Sequence, residues 1–211
     1  MTHAALAPAP AHAPGHGGAP GDHDYTVTGI NSKKLGMWAF LASECLFFGA
    51  LISTYLLYRT RGPVGQRPGD VYDIPYTSVS SFVLLMSSLT MVLALAAIQR
   101  GDHRRLRIWL LATALLGTVF IGGQVYEFTV FVERGLNISS SVAATSFFVL
   151  TGFHGVHVTV GILWLLSLIG MSLRGLIPQE RNLEIEIAGL YWHFVDVVWI
   201  IIFTVVYLVP N

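Results

Sequence analysis

Charge is scarce in this chain. Only 11% of its 211 residues are Asp, Glu, Lys or Arg, whereas a soluble domain carries about 25%, so much of a water-facing surface is missing. The charges present sum to zero. That balance argues against nucleic acid as a partner and against a polybasic membrane patch. The one cysteine, Cys45, excludes an internal disulfide, and its place in an apolar run suggests a small buried hydrophobe. Strand-like alternation is lacking, which excludes an outer-membrane barrel. Neither half of the chain repeats the other, which weakens an inverted-repeat transporter. There is no HExxH zinc motif, and no pair of helices with histidines spaced for stacked haems.

What the chain has instead is long apolar runs: 54% of residues are hydrophobic and the mean hydropathy is +0.63. A bilayer core about 30 Å thick requires about 20 apolar residues per helix. Five segments satisfy this, at 34–58, 75–98, 106–126, 142–172 and 187–209. The fourth exceeds one perpendicular crossing and should tilt or extend beyond the membrane. The expected fold is an all-α integral membrane protein of five transmembrane helices, occupying residues 31–211. The leader, "MTHAALAPAPAHAPGHGGAPGDHD", lacks the apolar h-region of a signal peptide and is too poor in hydrophobes to fold. Residues 1–30 are expected to be a disordered Pro/Ala/Gly/His-rich tail, whose histidines His3, His12, His16 and His23 would catch a metal only adventitiously.

Lysines and arginines in the connecting segments set the direction. With the N-terminus inside, the inner segments hold eight (Lys33, Lys34, Arg100, Arg104, Arg105, Arg107, Arg174, Arg181) and the outer ones four (Arg59, Arg61, Arg67, Arg134). This favours an inner N-terminus and an outer C-terminus. Loop 59–74 reads as irregular. The stretch "ERGLNISSS", 133–141, reads as a turn followed by the cap of the fourth helix, on Asn137 or a serine.

Against this background the polar residues inside the spans stand out, since a carboxylate in hydrocarbon costs a few kcal/mol or more. Glu44 lies within "FLASECLFFGAL", flanked by Phe47 and Phe48. His154 and His157, in "TGFHGVHVTVG", share a face of the fourth span. His193 and Asp196, in "LYWHFVDVVW", repeat that spacing in the fifth, and Glu127 closes the third near the outer surface. Three readings compete: a metal or haem site, a proton or ion path, and plain hydrogen bonding between helices, each such bond being worth about 0.6 kcal/mol. The histidine pairs lie at different depths, against a shared metal. Gly152, Gly155 and Gly161 beside them suit close helix packing. Trp38, Tyr58, Trp109 and Tyr207 fit an interfacial belt, and packing accounts for Trp192 and Trp199.

In these same residues the chain resembles subunit III of the haem-copper cytochrome c oxidases. "LASECLFFGALI" resembles the family's glutamate-bearing helix, and "QRGDHRRLRIWLLATALLGTVFIGGQVYEF" its connecting loop and the helix ending in a glutamate. "SFFVLTGFHGVHVTVG" and "YWHFVDVVWIIIF" resemble its last two helices. The similarity runs from about residue 31 to the C-terminus. Larger members have seven spans, and this chain resembles the five-span bacterial form, which begins at their third; a longer catalytic subunit is expected to supply the missing pair. The resemblance implies a subunit without catalytic residues, metal, haem or copper of its own. It would pack directly on subunit I, which carries those groups, beside subunit II and small subunits or a larger respiratory supercomplex, in the bacterial plasma (inner) membrane. It implies bound phospholipid, support of proton uptake, and Glu44 as a candidate for proton buffering with His157 as partner. His154, His193, Asp196, Glu127 and Trp192 would form an intramembrane polar network or lipid and subunit contacts. The same motifs suit a quinol oxidase or the accessory protein of a nitric oxide reductase; a stand-alone proton transporter is the alternative of another class.

Overall fold

The computed structural model describes residues 31–61, 73–177 and 182–209. The expectations for the 1–30 tail and for most of loop 59–74 lie outside the described residues. Five helices long and apolar enough to cross a membrane follow one another: α1 Ser32–Tyr58, α2 Ile74–Gln99, α3 His103–Glu133, α4 Val142–Leu173 and α5 Asn182–Phe203. The last runs on through a π-helical turn, Thr204–Leu208.

Each helix end has a local cause. Asn31, Asp73, Asp102 and Ser141 cap the first four helices by accepting backbone N–H groups of their first turns. A serine, not Asn137, caps α4. Helices α2, α3 and α4 all end in the dipeptide Arg-Gly, at 100–101, 134–135 and 174–175. The arginine is the C-cap, and the glycine beyond it takes a positive φ of 74°, 86° and 69°, which other residues adopt only with strain. The following N–H then reaches back to a carbonyl of the last turn, as Asp102 does to Ala97 at 3.0 Å and Leu136 to Phe131 at 2.9 Å.

The third span is longer than its apolar run indicates. It continues through "EFTVFVE" to Glu133, so Glu127 does not close the helix but lies six residues inside it, 3% exposed. The expected boundary at 126 failed because a carboxylate was taken for an interface residue, whereas its hydrogen bonds are made inside the bundle. Cys45 is exposed rather than buried, because α1 leaves most of its surface outside the bundle.

Helix α5 is the hub. It packs on α2, α4 and α1, while α2, α3 and α4 lie side by side around it. Its Trp192 is seated by two glycines. A methyl group at Gly117 on α3 would come 2.7 Å from the Trp192 ring, and one at Gly161 on α4 would come 2.8 Å from it. The indole N–H donates to Ser87 Oγ on α2 at 2.8 Å. One side chain thus joins four helices, and only the absence of a Cβ at both glycines lets it fit. Of the glycines singled out from sequence, Gly161 makes this close approach; Gly155 meets only Ile121 at 3.9 Å, and Gly152 meets nothing within 4 Å. Helix α1 lies outside this core against α4 and α5, tied at its N-terminal end by the Lys34–Glu186 ion pair.

Candidate functional site

The polar residues separate into four places. The first is the seam between α1 and α4. Glu44 Oε2 lies 3.2 Å from His157 Nε2, both side chains being mostly buried. The other ring nitrogen, Nδ1, lies 2.8 Å from the carbonyl oxygen of Phe153, one turn earlier. A carbonyl only accepts, so Nδ1 carries a hydrogen and the ring's variable nitrogen is Nε2, the one facing the acid. A carboxylate opposite an unprotonated Nε2 would set two lone pairs against each other. An acid and a ring nitrogen placed this way can hold one proton between them, as Glu44 O–H beside imidazole or as imidazolium beside carboxylate. Phe47, Phe48 and Phe153 surround the pair, with Phe48 and His157 edge to face at 5.0 Å. Tyr191 O–H donates to the carbonyl of His157 at 2.9 Å and holds that turn of α4 against α5.

The second place is the far half of the bundle. Glu127 accepts from Thr77 Oγ1 at 2.7 Å and Tyr207 O–H at 3.2 Å through one oxygen, and from Gln124 Nε2 at 3.0 Å through the other. The π-helical turn carries Tyr207 into this position. Tyr207 is consequently 4% exposed; its place near the chain end suggested a surface-facing ring, whereas its hydroxyl is turned into the bundle.

The third place is the α2–α5 contact. His193 Nδ1 pairs with Ser88 Oγ at 2.6 Å. Asp196, one turn on and 3% exposed, neighbours Ser88 without completing a hydrogen bond, and neither carboxylate oxygen has a partner among the described residues. The fourth is His154, fully buried in an aromatic box. It stacks on Trp199 at 4.9 Å, with Phe120 and Phe48 edge-on at 6.0 and 6.4 Å, and neither ring nitrogen has a hydrogen-bond partner among the described residues.

The two HxxH/HxxD pairs are thus taken apart, with His157 facing α1, His154 facing an aromatic wall and His193 with Asp196 facing α2. Among the described residues no three His, Cys, Asp or Glu side chains converge as a metal-ligand set. The sequence reading passed over Thr77, Ser81, Ser87 and Ser88 on α2 and Gln124 on α3. A signal existed: Thr77, Ser81 and Ser88, at i, i+4 and i+11, mark one polar face of an otherwise apolar helix, and Ser81 accepts the Trp199 indole N–H at 2.8 Å.

Comparison with known proteins places this arrangement. Residues 15–210 match the family model described as cytochrome c oxidase subunit III, a match that starts earlier than the similarity seen from residue 31. Quinol oxidase subunit 3 of Bacillus spizizenii is 39% identical over 92% of this chain and 95% of its own length. Cytochrome c oxidase subunit 3 of Bacillus sp. (strain PS3) is 37% identical over 89% of this chain and 90% of its own. Cytochrome bo(3) ubiquinol oxidase subunit 3 of Pseudomonas aeruginosa is 38% identical over 95% and 93%. The chain belongs to the cytochrome c oxidase subunit III family, as a multi-pass membrane subunit III of a multi-subunit terminal oxidase complex.

Proposed function

We propose that this chain packs directly on subunit I of a bacterial haem-copper oxidase in the inner membrane, N-terminus inside and C-terminus outside, and holds a proton for that subunit at Glu44–His157. The observation that carries the reading is the Glu44–His157 contact itself, in a chain whose family match covers nearly its whole length. The pair shares one proton between two atoms, and the ring is locked by Phe153 so that only Nε2 takes part. Moving that proton across the contact changes no net charge: it converts a neutral pair into two opposite charges in contact, which costs less in hydrocarbon than one isolated ion. Subunit II completes the complex, with small subunits or a larger respiratory assembly around it. Haems and copper reside in the partner subunits, and phospholipid accompanies this one.

Cytochrome c is the donor in this reading. Quinol is the second reading, favoured by relatives named as quinol oxidase subunits at 39% and 38% identity, beside 37% for the cytochrome c oxidase subunit. The test is purification of the tagged chain from mildly solubilised membranes, with a haem difference spectrum, peptide identification and assays with reduced cytochrome c and with quinol. Recovery with a haem- and copper-binding large subunit supports the assembly, and the donor that is oxidised decides between the two. A haem-free chain recovered alone would overturn the reading and turn attention to proton transport by the chain itself.

A further inference from the structure

Where α2 turns into α3, a cavity of about 420 Å³ opens at the end of the bundle. Its lining is apolar at Leu93, Ala97, Ile108 and Trp109 and charged at Arg100, Asp102 and Arg105. The volume suits a small polar group with part of an attached chain. Asp102 is already engaged. Its Oδ1 accepts the Arg105 backbone N–H at 2.9 Å as the cap of α3, and its Oδ2 lies 3.2 Å from Arg105 Nε. That contact uses one edge of the Arg105 guanidinium and leaves other donors free. No described side chain pairs with Arg100. The charged part of the lining therefore carries two cations against one anion. The neutral net charge of the whole chain does not show this local concentration, since charge acts within a Debye length.

We propose that this cavity binds an anionic phospholipid, with the phosphate between Arg100 and Arg105 and the first acyl carbons on Leu93 and Ile108. A soluble anion would use only the charged lining. The apolar lining beside it, Leu93, Ile108 and the half-buried Trp109, fits a ligand that continues into the bilayer. With the N-terminus inside, the leaflet is the inner one. The inference rests on the membrane reading of the chain and not on its electron donor or on any role of Glu44.

Native mass spectrometry of the intact purified complex, exchanged into vesicles of phosphatidylglycerol or phosphatidylcholine, tests it. The wild type should retain phosphatidylglycerol preferentially. The double variant Arg100→Gln/Arg105→Gln should bind it about thirtyfold more weakly, the effect of two interfacial charges, while Arg104→Gln, an exposed arginine off the cavity wall, should not. Unchanged retention in the double variant, or equal retention of phosphatidylcholine by the wild type, would overturn the proposal. So would inorganic phosphate that displaces the lipid completely, since the site would then be one for a soluble anion. Because the double variant could fail to assemble, a second measurement uses the wild type alone. Phosphatidylglycerol with a photoreactive group near its headgroup should label the peptide spanning residues 93–109, and labelling only elsewhere would refute the site. These readouts work equally on a chain recovered without partners, so failure of the oxidase reading and failure of the lipid site are distinguishable.

Discussion

Glu44 and Glu127 are the same side chain in the same solvent, and their surroundings differ in kind. Glu127 is closed in by three neutral donors from three segments of the chain, each fixed by its own helix. All of them give hydrogens to the carboxylate, and none readily gives up or accepts a proton at physiological pH. Glu44 faces His157, an imidazole whose Nε2, the nitrogen turned towards it, is of a type that can either donate or accept a hydrogen. The first arrangement is a clamp joining α2, α3 and the end of α5. The second is, in the function proposed above, a place for a proton. Position in the chain also separates them: the clamp is deep between packed helices, whereas the pair lies at the seam of α1, the helix with the least of its surface inside the bundle.

The frame under both regions gives the largest expected effect. Gly161→Val would drive a methyl group into the Trp192 ring, and overpacking at such a fixed contact costs about 3 kcal/mol. The subunit should then be missing from purified membranes, by immunoblot or mass spectrometry. Next comes Glu127→Ala, which strands three donors. At about 0.6 kcal/mol for each membrane hydrogen bond the loss is about 2 kcal/mol, seen as release of the subunit from the complex at a lower temperature. If the clamp reading holds, oxygen consumption per complex that keeps the subunit stays normal.

Glu44→Gln reverses that pattern. It should cost less than about 1 kcal/mol, since the amide still donates to His157 Nε2, and the haem spectrum should be unchanged. Proton uptake should nevertheless slow, or the enzyme should inactivate sooner during turnover. Full pumping with a normal turnover lifetime would reduce Glu44 to a second clamp and dissolve the contrast. His157→Gln should give the same defect, and the double variant should be no worse than either single one, because the proton belongs to the pair. Smallest of all, Tyr207→Phe removes one of three donors and should lower stability by about 0.6 kcal/mol. A larger drop would mean that the π-helical turn itself depends on that hydroxyl.

Much of this was legible in the residues. Length and hydropathy place five helices, and the rare polar residues within them mark the depth of each site, because few other reasons put Glu, Asp or His in hydrocarbon. The fourth helix begins at residue 142 as its serine cap and preceding turn require. The end of the third was misjudged because hydropathy cannot tell a carboxylate at the surface from one satisfied by neighbours. Cys45 and Tyr207 were misplaced for a related reason. Burial depends on which face a neighbouring helix covers, and α1 is covered on little of its surface while the chain end is folded inward.

Spacing put His154 and His157 on one side of α4, yet a single turn separates an aromatic box from the contact with Glu44, and only the packing of α1 on α4 distinguishes them. The serines of α2 are unremarkable one by one; the indoles of Trp192 and Trp199 across the interface make acceptors of two of them. The sequence by itself determined that this chain spans a membrane, where its helices run and which residues are too polar to be there without a partner, since those follow from the cost of transfer into hydrocarbon. Which partner each of them has was decided by the tertiary structure alone, because hydrogen bonds are made between helices far apart in the chain and hold only where the backbones come close enough to make them.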